Sequence, residues 1–258
     1  MNTTGARESL TVDGVALLAA VVAPDLLASL RIAVAANRDD GRPMSRQVLY
    51  THGPTPPNRP PLTALMDQWL SPHRATGASS TRGVADAMRP LAAELLDDRP
   101  VLFQDLLLVK RAGQKEFPWH QDFGFWPVDR PLGVVVWVPL QASDGASGAL
   151  RFARGSHRLG PRPVVDLHDG MPQDCNADLA FDVEAWPAFA PTYRAGDAVA
   201  FSPLTFHASP AMRRPGERAA WSCVFLSPQV RWRHANAPNH PLCKVVADGA
   251  PVTEFFDA

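Results

Sequence analysis

The sequence predicts an α+β protein that is mainly β, with helices gathered in the first hundred residues and packed on one face of antiparallel strands that form a sandwich or barrel. Three observations carry this. The chain holds 26 prolines in 258 residues, about twice the usual ~5%; each interior Pro removes a backbone donor and clashes with the preceding turn, so a helical bundle is excluded. Apolar residues recur at helical spacing only before residue 100. From Val101 onward, short runs of β-branched, aromatic and leucine residues are separated by Gly, Pro, Asp and Ser clusters, which is the texture of strands and turns.

Val12 to Val22 reads as a strand that runs into Pro24-Asp25. Leu26, Leu27, Leu30, Ile32 and Val34 then recur at near-helical spacing up to Asn37, behind a proline whose fixed φ suits a first helical position. Thr51 to Pro61 carries five prolines, a rigid extended loop, and yields to Leu62, Leu65, Met66, Trp69 and Leu70, spaced as a short amphipathic helix. Val84 to Leu96 repeats the helical pattern. The expected strands are Val101 to Lys110, Trp119 to Phe123, Leu132 to Leu140, Ala149 to Ala153, Ala198 to Phe201, Leu204 to His207 and Ala219 to Ser227. Arg162 to Arg194 interrupts them with Asp166, Asp169, Asp174, Asp178, Asp182 and Glu184 and no Lys or Arg between its ends, a loop long enough to serve as a lid. The chain reads as one domain: a mainly helical flank over 1–100, a β core over 101–230 that contains the 162–194 insertion, and a C-terminal extension over 231–258.

Charge narrows the function. With 25 Lys plus Arg against 26 Asp plus Glu, the net charge of -1 creates no field that recruits nucleic acid or anionic lipid. Cys175, Cys223 and Cys243 form no CxxC pair, so neither a disulfide framework nor a zinc knuckle is supported and a reducing cytoplasm fits. The apolar stretch Gly14 to Ala23 is too short to span a bilayer, and it is flanked by Asp13 and Asp25 where a signal peptide carries positive charge.

In Trp119-His120-Gln121-Asp122 the imidazole and the carboxylate lie two residues apart, so on an extended strand both leave the same face and reach one ion. His207 follows the Gly196-Asp197 turn and the apolar strand after it. Two histidines and one carboxylate make the facial triad of non-haem Fe(II) oxygenases, which leaves adjacent coordination positions open. Arg218, eleven residues after His207, opens the last apolar strand and offers a permanent bidentate cation to a carboxylate, to which Ser209 adds a hydroxyl donor.

This ordered set resembles the phytanoyl-CoA dioxygenase family of Fe(II)/2-oxoglutarate oxygenases, over most of the chain. The resemblance rests on Trp119-His120-Gln121-Asp122, on Gly148 followed by Ala149 to His157, on Gly196-Asp197 leading to His207, Ser209 and Arg218, and on the opening Asp13-Gly14-Val15 with the helix after Pro24. It implies a double-stranded β-helix, a jelly-roll or cupin-like barrel, with N-terminal helices packed on one sheet. It implies that His120, Asp122 and His207 bind iron and that Arg218 with Ser209 grips the distal carboxylate of 2-oxoglutarate. Trp137 matches a family position beside the cosubstrate, and Gln104 or Lys110 completes its pocket. His157, in the Gly155-Ser156-His157 turn, is implied to shape the barrel and not to bind metal. Ala153-Arg154 stands where the family often has a Pro before Gly-Ser-His.

Fe(II), 2-oxoglutarate and O2 are the cofactors this implies, and hydroxylation of an unactivated C–H of a small metabolite or natural-product intermediate, with release of succinate and CO2, is the expected reaction. Two neutral imidazoles and a carboxylate leave Fe(II) at +1; the dianionic cosubstrate brings the centre to -1, and Arg218 restores balance at the far end. Asp122 fills the third ligand position, which disfavours halogenation. Two other readings stay open. A zinc hydrolase uses the same ligands but leaves Arg218 and Ser209 without purpose, and a non-catalytic barrel keeps the fold without turnover. The expected partner is a small molecule, with neither nucleic acid nor membrane involved.

Overall fold

The computed structural model of the chain describes residues 3–39, 65–164 and 182–256. Helices α1 (Thr3–Asp13), α2 (Pro24–Asp39) and α3 (Arg82–Leu96) precede most of the strands, and α4 (Thr253–Phe256) follows them. The strands are β1 (Val15–Leu18), β2 (Asp67–Leu70), β3 (Val101–Arg111), β4 (Phe117–His120), β5 (Gly133–Pro139), β6 (Arg151–Ala153), β7 (Ala188–Phe189), β8 (Ala198–Phe201), β9 (His207–Ser209) and β10 (Glu217–Leu226). They form two antiparallel sheets, a six-stranded one ordered β1-β8-β5-β10-β3-β2 and a four-stranded one ordered β4-β9-β6-β7. The described residues thus give two facing sheets and no closed barrel.

Period-two alternation sorts the large sheet into two layers. Val134, Val136 and Val138 of β5 and Trp221, Cys223 and Phe225 of β10 face outward, where Leu27, Leu30 and Val34 of α2 and Val84, Met88 and Leu95 of α3 cover them. Val135, Trp137, Val199, Phe201 and Val224 face inward and share a second core with Phe117, Phe152 and Ala208 of the small sheet. The helices-on-one-sheet expectation therefore holds, and the inner layer is where a site has room to form. In β3 the register slips between the pairs Val224↔Gln104 and Phe225↔Leu102, so Phe103 is an extra residue, a bulge that bends the strand.

Several elements differ from the sequence reading. Thr3–Asp13 is helical, and the expected strand over Val12 to Val22 shortens to Val15–Leu18. Gly14 separates the two with φ +74, a left-handed turn that ends the helix with its N–H donating to the Leu10 carbonyl. A Cβ there would stand 2.4 Å from His157 Nδ1 and 2.5 Å from Thr205 Oγ1, so only glycine fits. The amphipathic helix expected from Leu62 to Leu70 is instead β2, at least over its described part. The spacing of Met66, Trp69 and Leu70 matches either period, and the open edge of β3 decides: Gln68 pairs with Leu108 and Trp69 with Leu107. Trp69 packs outward with the helices while Met66 turns inward.

Among the small-sheet strands, the expected Trp119 to Phe123 begins and ends earlier as Phe117–His120 and is followed by a 3-10 turn at Phe123–Phe125. Ala149 to Ala153 contracts to Arg151–Ala153, and Leu204 to His207 moves on to His207–Ser209. The proline-rich loop Thr51 to Pro61 and most of the acidic loop, including Asp166, Asp169, Asp174, Asp178 and Cys175, lie outside the described residues. Within the described part of that loop, Ala188–Phe189 pairs with β6 as the edge of the small sheet. Cys223 and Cys243 are unbonded thiols. No described helix is long and apolar enough to cross a membrane.

Candidate active site

His120 ends β4 and His207 begins β9, and the two are direct cross-strand partners, so their side chains leave one face with ring centroids 4.2 Å apart. Asp122 arrives differently from the sequence expectation. The strand has ended by then, and Asp122 adopts helical backbone angles (φ -68, ψ -36) at the start of the 3-10 turn, so a turn and not strand alternation swings its carboxylate back. Its Oδ1 lies 3.5 Å from His120 Nε2 and 3.7 Å from His207 Nε2. One donor atom from each of the three residues falls within 4.8 Å of the others, the only such His/Cys/Asp/Glu cluster of three or more among the described residues.

The imidazoles are oriented by the chain itself. His120 Nδ1 donates to the Pro118 carbonyl at 2.8 Å, and His207 Nδ1 to the Thr205 carbonyl at 3.0 Å. A carbonyl accepts only, so each ring carries a proton on Nδ1 and turns Nε2 toward Asp122, the orientation typical of metal-binding histidines. Burial and the neighbouring His120 push His207 down to about 4, which keeps it a neutral ligand. Burial pushes the Asp122 carboxyl up, but the two imidazoles outweigh it and hold it below its ordinary value.

Gln121, whose role the sequence did not reveal, points the opposite way. It donates to the Leu204 and Gly160 carbonyls at 2.8 and 3.0 Å and accepts from the Arg162 N–H at 2.8 Å, tying the loops on either side to the end of β4. His157 donates to the Thr11 carbonyl and Ser156 Oγ accepts from the Phe206 N–H, so the Gly155-Ser156-His157 turn braces the N-terminus and the approach to β9, away from the cluster.

Ser209, two residues after His207 on β9, leads to the cationic end. Arg218, 1% exposed, donates through Nη2 to the Gly148 carbonyl at 2.7 Å and to Ser209 Oγ at 3.2 Å. Lys110, fully buried on β3 beside Arg218 on β10, donates to the Ser209 carbonyl at 2.8 Å and to Ser209 Oγ at 3.1 Å. The Ser209 hydroxyl spends its own proton on Gly148 O at 2.7 Å. Gly148 is required here: its φ is +71, and a Cβ would lie 2.8 Å from Lys110 Cδ. Burial, then the charge of Arg218, pushes Lys110 down to about 7, only partly offset by Glu116. Burial also lowers Arg218, to about 10.

Arg218 Nε and Nη1 are buried with no hydrogen-bond partner. Among the described residues no carboxylate bonds to Arg218 or Lys110, and two adjacent buried cationic groups with idle guanidinium donors are destabilising unless an anion joins them. Trp137 lies against this group, with the guanidinium carbon 5.3 Å from its ring centroid, and Tyr193 packs edge-on to Trp137 at 5.1 Å. Gln104 is not part of this end. It shares the inward face of β3 with Lys110 but stands six residues away, about 20 Å along the strand, and its buried Oε1 has no partner.

A cavity of about 90 Å³ opens on the triad and runs toward Ser209 and Trp137. Its remaining wall includes Leu106 and Leu108 of β3 with Met66 and Gln68 at β2, and the last two were missed as site residues because the sequence reading placed a helix there.

Comparison with known proteins agrees with this architecture. The profile described as phytanoyl-CoA dioxygenase matches residues 10–220. A Caenorhabditis elegans protein named "Probable phytanoyl-CoA dioxygenase" is 28% identical over 114 residues, 43% of this chain and 36% of that protein, so the match spans about a third of the relative's length. Among solved structures, the non-haem alpha-ketoglutarate-dependent carbocyclase SnoK from nogalamycin biosynthesis superposes with a TM-score of 0.75 at 17% identity, covering 96% of this chain and 92% of that one. The epimerase SnoN, in complex with Fe3+, alpha-ketoglutarate and nogalamycin RO, gives 0.73 at 21% identity, covering 97% and 95%. At these identities the structural likeness is one of fold. With a family profile spanning most of its length and the His120, Asp122 and His207 donors gathered at one point, the chain belongs to the phytanoyl-CoA dioxygenase family.

Proposed function

We propose that this chain is an Fe(II)- and 2-oxoglutarate-dependent oxygenase that hydroxylates an unactivated C–H of a small-molecule metabolite or natural-product intermediate. The observation that carries the reading is the pairing of two half-sites along one small cavity: a two-histidine, one-carboxylate donor set in its lining, and idle, buried guanidinium donors of Arg218 just behind the lining residues Ser209 and Trp137. The donor set suits Fe(II), and the cationic end suits the far carboxylate of a keto diacid. His120, Asp122 and His207 would hold the iron, which with 2-oxoglutarate and O2 would supply the oxidising power for C–H hydroxylation, with succinate and CO2 as co-products.

The chain's own contribution is positional and electrostatic. His120 and His207, locked by Pro118 O and Thr205 O, present fixed nitrogens, and Asp122 adds the one negative charge. Arg218 Nε and Nη1 supply the donors that a distal carboxylate lacks in a dry pocket, with Lys110 as a second cation and Ser209 as the hinge between them. Trp137 adds an aromatic wall to the cavity beside the guanidinium. A zinc hydrolase would have no use for the two buried cations. The alpha-ketoglutarate-dependent carbocyclase and the epimerase complex with Fe3+ and alpha-ketoglutarate support the cofactor assignment, and the nogalamycin RO in the latter supports a small-molecule substrate. We read the two facing sheets as a double-stranded β-helix, the whole chain as one catalytic domain, and its location as cytoplasmic.

The test is anaerobic addition of Fe(II) and 2-oxoglutarate to the purified protein. The visible charge-transfer band of the chelate is expected, followed by O2-dependent succinate formation. No band, with activity from zinc alone, would overturn the assignment.

A further inference from the structure

Resting on the reading of the site just given, we infer that Gln68 is the specificity-determining residue of this enzyme and that the part of the substrate entering the cavity is uncharged and mostly apolar, with a single carbonyl or hydroxyl recognised by the Gln68 carboxamide.

The argument begins with register. Gln68 of β2 pairs with Leu108 of β3, so the two side chains leave the same face, the inward one, and both line the cavity. Met66 and Leu106 line it as well. Asp67 and Trp69 alternate to the other face, where Asp67 pairs with Arg111 and Trp69 joins the helical layer. Gln68 is only 6% exposed, and its side chain forms part of the cavity lining. A carboxamide facing a cavity can both donate and accept a hydrogen bond to whatever fills it.

The remaining wall has little else to offer. Apart from Asp122, no lining residue among those described carries a charged carboxylate, guanidinium or ammonium. His120, Asp122, His207 and Ser209 belong to the metal and cosubstrate ends. Ser222 sits between Leu106 of β3 and Trp137 of β5, in the middle of the large sheet, and offers one hydroxyl. Gln68 stands on the edge strand, with two strands between it and Trp137, and carries the one carboxamide in the described lining. A charged group pushed against Met66, Leu106 and Leu108 would lose hydration without an ionic partner, whereas a ketone or alcohol needs one hydrogen bond, which a carboxamide can give or take. A site built around one buried polar group discriminates strongly against analogues that leave it unpaired.

The edge strand is held in place from outside the cavity. The backbone N–H of Ser71, just past β2, donates to Asp105 O at 2.7 Å, and the Asp105 carboxylate accepts from His73 Nδ1, Trp221 Nε1 and the Thr81 hydroxyl. Gln68 is thus presented on a fixed strand.

The test uses the full chain loaded anaerobically with Fe(II) and 2-oxoglutarate and reads displacement of the charge-transfer band by cyclohexanone, cyclohexanol, cyclohexylammonium and cyclohexanecarboxylate. The neutral pair is expected to shift the band at least tenfold more tightly than the charged pair. Gln68→Leu is expected to weaken the neutral pair about five- to tenfold, the loss of one hydrogen bond, with the 2-oxoglutarate titration unchanged, and Gln68→Glu to favour the ammonium. Equal binding of the charged pair, no shift by the neutral pair up to millimolar concentration, or full retention in Gln68→Leu would each overturn the inference. Absence of the band in the unsubstituted protein would instead remove the Fe(II)/2-oxoglutarate reading on which it rests.

Discussion

Replacing Arg218 by Met separates a binding role from a structural one, because the two predict opposite signs. In the unliganded protein Arg218 keeps two hydrogen bonds, to Gly148 O and Ser209 Oγ, but leaves Nε and Nη1 buried and idle beside the Lys110 ammonium. Hydrogen bonds to a charged group contribute about 1.5–3 kcal/mol, and each buried unsatisfied donor costs about 1–3 kcal/mol. Replacing a poorly satisfied buried ion by an apolar residue of similar size is often neutral or stabilising by about 1–4 kcal/mol. Arg218→Met is therefore expected to leave the unliganded Tm unchanged or raise it by a few degrees, at about 2–4 °C per kcal/mol for a chain of this size. The same change leaves the distal carboxylate of 2-oxoglutarate without its guanidinium, a loss of about 3–5 kcal/mol or about 150- to 5000-fold in Kd. Metal affinity stays as it was, since Arg218 lies outside the donor cluster. Equilibrium titration of 2-oxoglutarate by the charge-transfer band, metal binding by calorimetry, and thermal unfolding of the unliganded protein read all three. A large fall in Tm with an unchanged 2-oxoglutarate Kd would show that the guanidinium serves the fold and that its cosubstrate role is wrong.

Asp122→Ala removes an ion ligand and no core volume, so it is expected to abolish succinate formation and weaken metal binding beyond the about 10–100-fold typical of losing an outer-shell partner, with the far-UV spectrum retained; full activity would refute the ligand assignment. Lys110 is held near 7 against an ordinary 10.5, so between those values the unfolded chain binds a proton that the folded chain does not. Its destabilisation is full below pH 7 and is relieved as pH rises, giving a slope of up to about 1.4 kcal/mol per pH unit, which Lys110→Met should abolish in denaturant titrations across this window. For the same reason, 2-oxoglutarate binding at pH 8 should take up a proton, seen by calorimetry in buffers of different ionisation enthalpy, and Lys110→Met should bind without uptake. Asp105→Ala strands His73, Thr81 and Trp221 without their shared acceptor and is expected to cost about 3–5 kcal/mol in chemical denaturation; a loss under 1 kcal/mol would mean that water replaces the carboxylate.

What the sequence determined by itself was chemical type and order along the chain. The HxD pair, the later histidine, the serine two residues beyond it and the arginine that opens the last strand are recognisable because metal and carboxylate chemistry demand particular side chains, and no packing context changes what an imidazole or a guanidinium can bind. The long strands over 101–111 and 217–226 were legible for a similar reason, since extended runs of β-branched and aromatic residues suit a pleated surface. Tertiary structure decided everything that depends on a partner. Residues 67–70 fit a helix or a strand until the edge of β3 supplied hydrogen bonds, and that choice alone brought Gln68 to the cavity. Asp122 reaches the histidines by a turn, which spacing could not distinguish from alternation. Gln104 and Lys110 face the same side of one strand, so period two treats them alike; only the position of Ser209, Gly148 and Arg218 across the fold separates the buried cation at the site from the amide about 20 Å away. Local sequence sets what a residue can do, whereas which residues meet is fixed by pairing and burial between segments a hundred residues apart.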